Sequence, residues 1–258
     1  MKIEHARIVE HRDVSGGYRV LILDAGGIAR TVRPGQFVHL RVPDLDAALR
    51  RPFSVYRADG DRLALLYKTV GRGTGVLARA GVGGVVDVLG PLGNGFPAPD
   101  DAATPVLVAG GYGVAPLSLL AARTLRKGIV FIGGRTADDI LCAGDFEALG
   151  WEVRVATEDG SAGVRGLVTD LLDTWLAGPG AGMQPEFFAC GPDGMLQAVG
   201  ARAVRRGCRA WLSLDKHMGC GVGACLACVQ RIRDAAGNVA WKRVCKDGPV
   251  FEAREIVW

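Results

Sequence analysis

The tightest constraint in this chain is a set of thiols close together. Cys220, Cys225 and Cys228 fall within nine residues, and Cys245 follows after sixteen more. A C-x₄-C-x₂-C…C spacing suits a 2Fe–2S site, in which three thiolates wrap the group from one tight loop and a fourth closes it from a distant segment. Gly221 and Gly223 supply the backbone freedom that turns amides toward sulfur. Two other readings use cysteines in pairs. A Cys₄ zinc site is usually built from two short pairs, and Cys245 has no near cysteine neighbour. A disulfide framework suits neither this crowding nor a reducing compartment.

The remaining composition supplies a frame for such a site. The chain has 258 residues, 49% of them hydrophobic and 22% charged, the balance of a globular protein with room for two domains and an appendage. A formal net charge of +4 arises from 31 basic and 27 acidic residues spread along the chain. That is too weak and too dispersed to argue for nucleic acid or a membrane surface. The first residues carry charges where an export signal needs an apolar core, and no apolar run reaches the length of a membrane span. The expectation is a cytoplasmic protein, in which clustered cysteines hold metal or do redox chemistry. Cys142 and Cys208 read as ordinary buried thiols.

Residues 1–98 read as all-β. Apolar-rich runs at 6–10, 18–23, 36–42, 53–56, 63–67 and 85–89 are separated by turn signals at 15–17, 33–35 and 58–60. Short strands at this spacing suggest a closed antiparallel barrel. A proline-rich stretch at 96–101 reads as a linker. From 99 to 212, apolar strands at 105–109, 128–132, 151–155, 186–189 and 209–213 alternate with helical segments at 117–126, 137–149, 167–176 and 195–206. That alternation is the pattern of a Rossmann-like α/β domain with a parallel sheet. Residues 213–258 form a third, small module rich in Gly and Cys. The expected fold class is a β barrel plus an α/β domain, with the cluster module at the end.

Arg51, Pro52, Phe53 and Ser54 open one barrel strand. Lys68, Thr69 and Val70 follow another, with Gly73, Thr74 and Gly75 next and a Gly-rich segment at 90–96. Together these resemble the ferredoxin–NADP reductase superfamily, whose barrel binds FAD through an Arg-Pro-x-Ser motif and a Gly-Thr/Ser phosphate loop. The resemblance implies that Arg51 pairs with the pyrophosphate, a task that suits a guanidinium fork. It places Ser54 beside the flavin N5. Amides of Gly73, Thr74 and Gly75 would cradle phosphate ahead of a helix expected at 76–80. Pro52, Phe53, Lys68, Thr69 and Val70 complete the expected FAD-binding set. The alternative is a barrel whose glycines merely turn corners.

Gly110, Gly111 and Gly113 follow a predicted strand and open a helix, where a pyrophosphate can approach backbone closely. The turn is not G-x-G-x-x-G. It resembles the Gly-Gly-x-Gly-x-Ala-Pro turn of the same superfamily, with Ala109 where many members have Gly. Cys190, Gly191 and Pro192 match the superfamily's Cys-Gly-Pro element near the nicotinamide. Glu158 and Asp159, after a third strand, would repel a 2′-phosphate and favour NAD over NADP, while Arg135 argues the other way.

The order barrel, nucleotide domain, cluster is similar to that of the electron-transfer subunits of class 1B dihydroorotate dehydrogenases. The segments 90–96, 157–161, 168–171, 213–220 and 243–251 carry the likeness, and Gly219 stands where those subunits often have Ala. The resemblance implies FAD, a 2Fe–2S cluster on Cys220, Cys225, Cys228 and Cys245, and NAD(H). It also implies an FMN-containing dihydroorotate dehydrogenase catalytic subunit as partner, in a heterotetramer of two plus two chains serving pyrimidine biosynthesis. No catalytic residue for dihydroorotate is expected on this chain: its four histidines are scattered, and no Ser or Cys has an evident general base. Met218, Val222 and Leu226 either form an apolar contact patch for the partner or pack the cluster pocket. The alternative is the small FAD/2Fe–2S subunit of another complex, a ferredoxin:NADP oxidoreductase or a sulfhydrogenase diaphorase.

Overall fold

The computed structural model describes residues 1–42 and 49–258. The first unit is a closed barrel of six antiparallel strands: β1 (Lys2–Asp13), β2 (Tyr18–Asp24), β3 (Phe37–Arg41), β4 (Arg51–Asp59), β5 (Arg62–Lys68) and β6 (Val85–Leu92). Their spatial order is β1-β2-β5-β4-β3-β6, with β6 returning to β1. Alternation decides which side chains fill it. Val38 and Leu40 of β3 and Phe53 and Val55 of β4 point into the barrel core, beside Ile8, Leu21, Leu65 and Val88. Two short helices cover the ends, α1 (Gly26–Ala29) and α2 (Arg72–Leu77).

The second unit is a seven-stranded sheet with β7 (Thr104–Gly110), β8 (Ile129–Gly134), β9 (Glu152–Thr157), β10 (Val164–Arg165), β11 (Pro185–Cys190) and β12 (Ala210–Ser213) in parallel. Helices α3 (Val114–Arg123), α4 (Ala143–Ala148), α5 (Val168–Ala177) and α6 (Asp193–Arg205) complete this α/β unit. Every residue of β11 is buried, as a central parallel strand covered on both faces requires. Its Glu186 is the one acid in that run. The carboxylate accepts the Asp100 amide at 2.7 Å and the Trp211 indole N–H at 2.9 Å, so the stretch predicted as a linker is pinned to the sheet.

The third segment does not stand apart. It contains a hairpin of β13 (Val229–Arg233) and β14 (Val239–Arg243), the one-turn helix α7 (Val244–Asp247) and β15 (Val250–Glu252). β15 pairs antiparallel with β12 and becomes the edge strand of the nucleotide-domain sheet. The 90–96 segment secures the other side: the Asn94 side chain donates to the carbonyls of Lys246 and Asp247 at 3.2 and 3.1 Å. Among the described residues no helix is long and apolar enough to cross a membrane.

Candidate redox site

The cysteine loop brings its four thiols together in two pairs. The Cys220 and Cys225 side chains lie within hydrogen-bond reach of each other, as do those of Cys228 and Cys245. Among the described residues, no three side chains of His, Cys, Asp or Glu converge on a point that one ion could fill. In a 2Fe–2S group each iron takes two thiolates, the arrangement these two pairs offer. Backbone amides line the loop. Cys220 Sγ accepts from Ala224 at 3.2 Å, Cys225 at 3.4 Å and Val222 at 3.5 Å, and Cys228 Sγ accepts from Cys245 at 3.3 Å. Gly221 and Gly223 adopt φ of +71° and +86°, which aims these amides inward. Burial alone would raise the Cys220 thiol, but the amides of Cys225, Val222 and Ala224 bring it down to about 6. The donor set and its amide lining fit a thiolate-bound cluster. One end of the group of thiols is in the core at Cys228 and Cys245, and the other reaches the surface at Cys225.

The FAD motif occupies β4 and the start of α2. Pro52 and Ser54 point outward, opposite Phe53, whose ring enters the barrel and meets Tyr67 edge-on at 5.6 Å. Arg51 lies across Gly73, where an added Cβ would come within 3.0 Å of its Nε. Arg51 donates to the Leu49 and Arg50 carbonyls and has no acidic partner among the described residues. A guanidinium held over a glycine without a carboxylate partner is a cradle that fits a phosphate. The helix begins at Arg72, earlier than the expected 76–80, so Gly73, Thr74 and Gly75 lie within it. The Gly75 amide is already spent on the Gly71 carbonyl at 2.8 Å. Thr74 Oγ1 closes the loop by accepting from the Val70 and Gly71 amides at 2.9 and 3.1 Å. The Thr69 amide donates to the Gly17 carbonyl at 2.9 Å. Lys68 is paired with Asp139 at 3.0 Å, which also accepts from Tyr18 at 2.7 Å, so it ties the barrel to the nucleotide domain.

The two predicted nicotinamide elements meet because β7 and β11 are neighbours, with Ala109 opposite Cys190. A Cβ on Gly113 would lie 2.2 Å from the Cys190 carbonyl oxygen, and one on Gly110 would lie 2.7 Å from Pro192. These glycines are therefore needed first for close packing of the two turns. Burial, then the nearby Asp215 charge, push the Cys190 thiol up to about 12, so it is a neutral thiol and no nucleophile. Tyr112 donates its hydroxyl to Asp215 at 3.2 Å across the mouth of the same turn.

Comparison with known proteins agrees with this layout. The iron–sulfur cluster binding domain family of dihydroorotate dehydrogenase B matches residues 215–257. The dihydroorotate dehydrogenase B (NAD(+)) electron transfer subunit of Bacillus mycoides strain KBAB4 is 38% identical, over 100% of this chain and 99% of its own. The chain belongs to the family of dihydroorotate dehydrogenase B electron transfer subunits. The Bacillus cereus strain Q1 member is 37% identical over the same spans. Among solved structures, the NADH-dependent reduced ferredoxin–NADP oxidoreductase superposes with a TM-score of 0.86 at 28% identity, covering 99% of this chain and 90% of that one. A Neisseria gonorrhoeae ferredoxin NADP⁺ reductase shares the fold of 80% of this chain at 15% identity, with a TM-score of 0.65 and 92% of its own chain covered.

In this dihydroorotate dehydrogenase B electron transfer subunit the barrel and the cluster loop meet on one face. Phe37, Leu89 and Leu92 on the outer face of β3 and β6 pack with Cys228, Val244 and Cys245, and with Met218 and Val222 from the cluster loop. Those two loop residues thus pack the pocket, while Leu226 is 60% exposed. Leu226 borders a groove of about 570 Å³ lined also by Val229, Trp241, Lys242, Arg243 and Asp247, and Trp241 is 66% exposed. Sequence reasoning missed Trp241, Asp215 and His39. His39 is the one polar residue among the four buried positions of β3, Phe37 to Leu40, a weak signal that does not by itself point to a redox site.

Proposed function

We propose that the chain carries electrons between dihydroorotate oxidation on a separate FMN-containing catalytic subunit and NAD⁺, holding FAD and a 2Fe–2S cluster for that purpose. One observation carries the reading. The outer face of β3, the strand paired with the flavin-motif strand β4, packs together with β6 on the segment bearing Met218, Val222 and Cys228. The two redox sites thus share a wall. FAD, when bound, exchanges two electrons with a nicotinamide and one at a time with an iron–sulfur group.

Each part of the chain has a task. Cys220 and Cys225 hold one iron, Cys228 and Cys245 the other. Arg51 holds the FAD pyrophosphate against Gly73, and Pro52 and Ser54 face the ring system. Gly110, Gly111 and Gly113 with Cys190, Gly191 and Pro192 form the seat for NAD. Glu158 and Asp159, both exposed beyond β9, disfavour a 2′-phosphate. Leu226, Trp241 and the groove between them dock the catalytic subunit, because electrons enter through the surface end of the cluster beside Cys225. The working complex is a cytoplasmic heterotetramer of two plus two chains.

The first test is the purified chain itself. It should contain FAD and a full 2Fe–2S complement and should oxidise NADH with an artificial acceptor. Cys225→Ser should lose iron and keep FAD. A wild-type chain with flavin but no iron would overturn the reading. The high superposition with the NADH-dependent reduced ferredoxin–NADP oxidoreductase favours one second reading, the same module serving a different large subunit. The two differ in the partner that restores activity.

A further inference from the structure

His39 is fully buried, and neither Nδ1 nor Nε2 has a hydrogen-bond partner among the described residues. A buried polar group without a partner costs ~1–3 kcal/mol, so a side chain of this kind at a cofactor site points to an acceptor outside the polypeptide. Its position narrows the choice. His39 lies opposite Pro52 of the FAD motif on one side and Leu89 of β6 on the other, on the outer face of the barrel. A Cβ placed on Gly221 would fall 2.6 to 2.8 Å from its Cε1, Nε2 and Nδ1. The imidazole therefore rests on the residue that follows Cys220. Its other neighbours offer no acceptor: Phe37 is tilted at 5.7 Å, Pro52 and Leu89 are apolar, and Arg50 and Arg51 only donate.

We propose that His39 donates an imidazole N–H to sulfur of the 2Fe–2S group held by the adjacent cysteine loop, and so sets that group's reduction potential from the flavin side. The proposal rests on the redox reading above. His39 is a positioning residue in this role, not a catalytic one. Hydrogen bonds to cluster sulfur raise the potential, because they stabilise the negative charge that reduction adds. They also explain why position 221 is glycine twice over: its φ is +71°, and a side chain there would occupy the space of the ring.

The test is an EPR-monitored redox titration of the purified chain with FAD and cluster bound. His39→Phe and His39→Met remove the N–H, and His39→Gln keeps one on a side chain of similar reach. Losing a hydrogen bond to a charged acceptor should lower the cluster's reduction equilibrium constant about tenfold, which is ~59 mV for a one-electron couple. His39→Gln should recover much of that shift, and the FAD potential should stay in place. Wild-type protein carrying ¹⁵N-histidine, compared with His39→Gln labelled in the same way, gives a second measurement. Pulsed EPR of the reduced cluster should show a ¹⁵N coupling that disappears in His39→Gln, where His217 remains labelled. An unchanged cluster potential in His39→Phe and His39→Met overturns the proposal. So does a shift confined to FAD, or a ¹⁵N coupling that survives in His39→Gln. A wild-type chain without a cluster would instead sink the redox reading itself.

Discussion

Gly113→Ala isolates the packing that builds the nicotinamide seat. Gly113 has φ of −59°, so alanine suits the backbone and only space opposes it. The new methyl would sit 2.2 Å from the Cys190 carbonyl oxygen, 2.5 Å from its carbon and 2.8 Å from the Gly191 nitrogen, where ordinary contact begins at 3.4 Å. All three atoms are backbone, so no side chain can swing aside. The ends of β7 and β11 must part by roughly 1 Å, and overpacking of this kind costs ~1–3 kcal/mol, here near the upper end. For a chain of this size, that corresponds to a fall in Tm of roughly 4–10 °C. Because the same displacement opens the Gly-rich turn against Cys190–Pro192, KM for NADH in a diaphorase assay should rise several-fold while FAD content holds. Gly144→Ala is the control. It lies in α4 with nothing within 4 Å of the added carbon, and alanine there should be neutral or stabilising by ~0.5–1 kcal/mol. Unchanged Tm and KM in Gly113→Ala would refute the reasoning, as would an equal loss in Gly144→Ala.

Asp87 receives a two-pronged grip from Arg50, at 2.8 and 2.7 Å, and this hydrogen bonding holds its carboxyl below the usual carboxylate range. A depressed carboxylate adds stability that is present above the unfolded-state value and is lost as pH falls through the folded-state value. Asp87→Asn should therefore cost ~1–2 kcal/mol at neutral pH, with the gap from wild type closing below about pH 4 in denaturant titrations. Gly221→Ala should give a chain that keeps its FAD absorbance and binds iron poorly, read by iron analysis, since the added carbon meets the His39 ring. Leu226→Asp and Trp241→Asp, at exposed positions, should retain both cofactors and co-purify with the catalytic subunit at least tenfold less well, about 1.4 kcal/mol of binding.

Much of the architecture was legible because it rests on local patterns. Strand alternation exposed the barrel, and βαβ alternation exposed the parallel sheet, down to the strand ends that carry Gly110 and Cys190. The cysteine spacing announced the thiol group before any contact was visible. What escaped were properties that exist only after distant segments meet. No periodicity signals that β15 completes the sheet beside β12, or that Asn94 holds the α7 turn. Lys68 reads as a member of the FAD-binding set, and its pairing with Asp139, 71 residues away, which also ties the barrel to the nucleotide domain, has no signal in the sequence. Phe53 reads as a member of the FAD-binding set, and the two-residue period of β4 sends its ring into the barrel while Pro52 and Ser54 face out. The helix after Gly71 began early because Thr74 Oγ1 captures the Val70 and Gly71 amides, a capping arrangement that a Gly-rich sequence does not advertise. His39 was hidden by its own strand: only the approach of Gly221 from the C-terminal segment makes it a candidate at the redox site.

Dihydroorotate-dependent reduction of NAD⁺ tests the central claim most directly. The chain is mixed with the FMN-containing dihydroorotate dehydrogenase subunit, and NADH formation is followed at 340 nm. The account expects NADH only when both subunits are present, and its loss when Cys225→Ser removes the cluster. A chain that holds FAD and iron, oxidises NADH with an artificial acceptor and yet yields no NADH from dihydroorotate with that partner would contradict it.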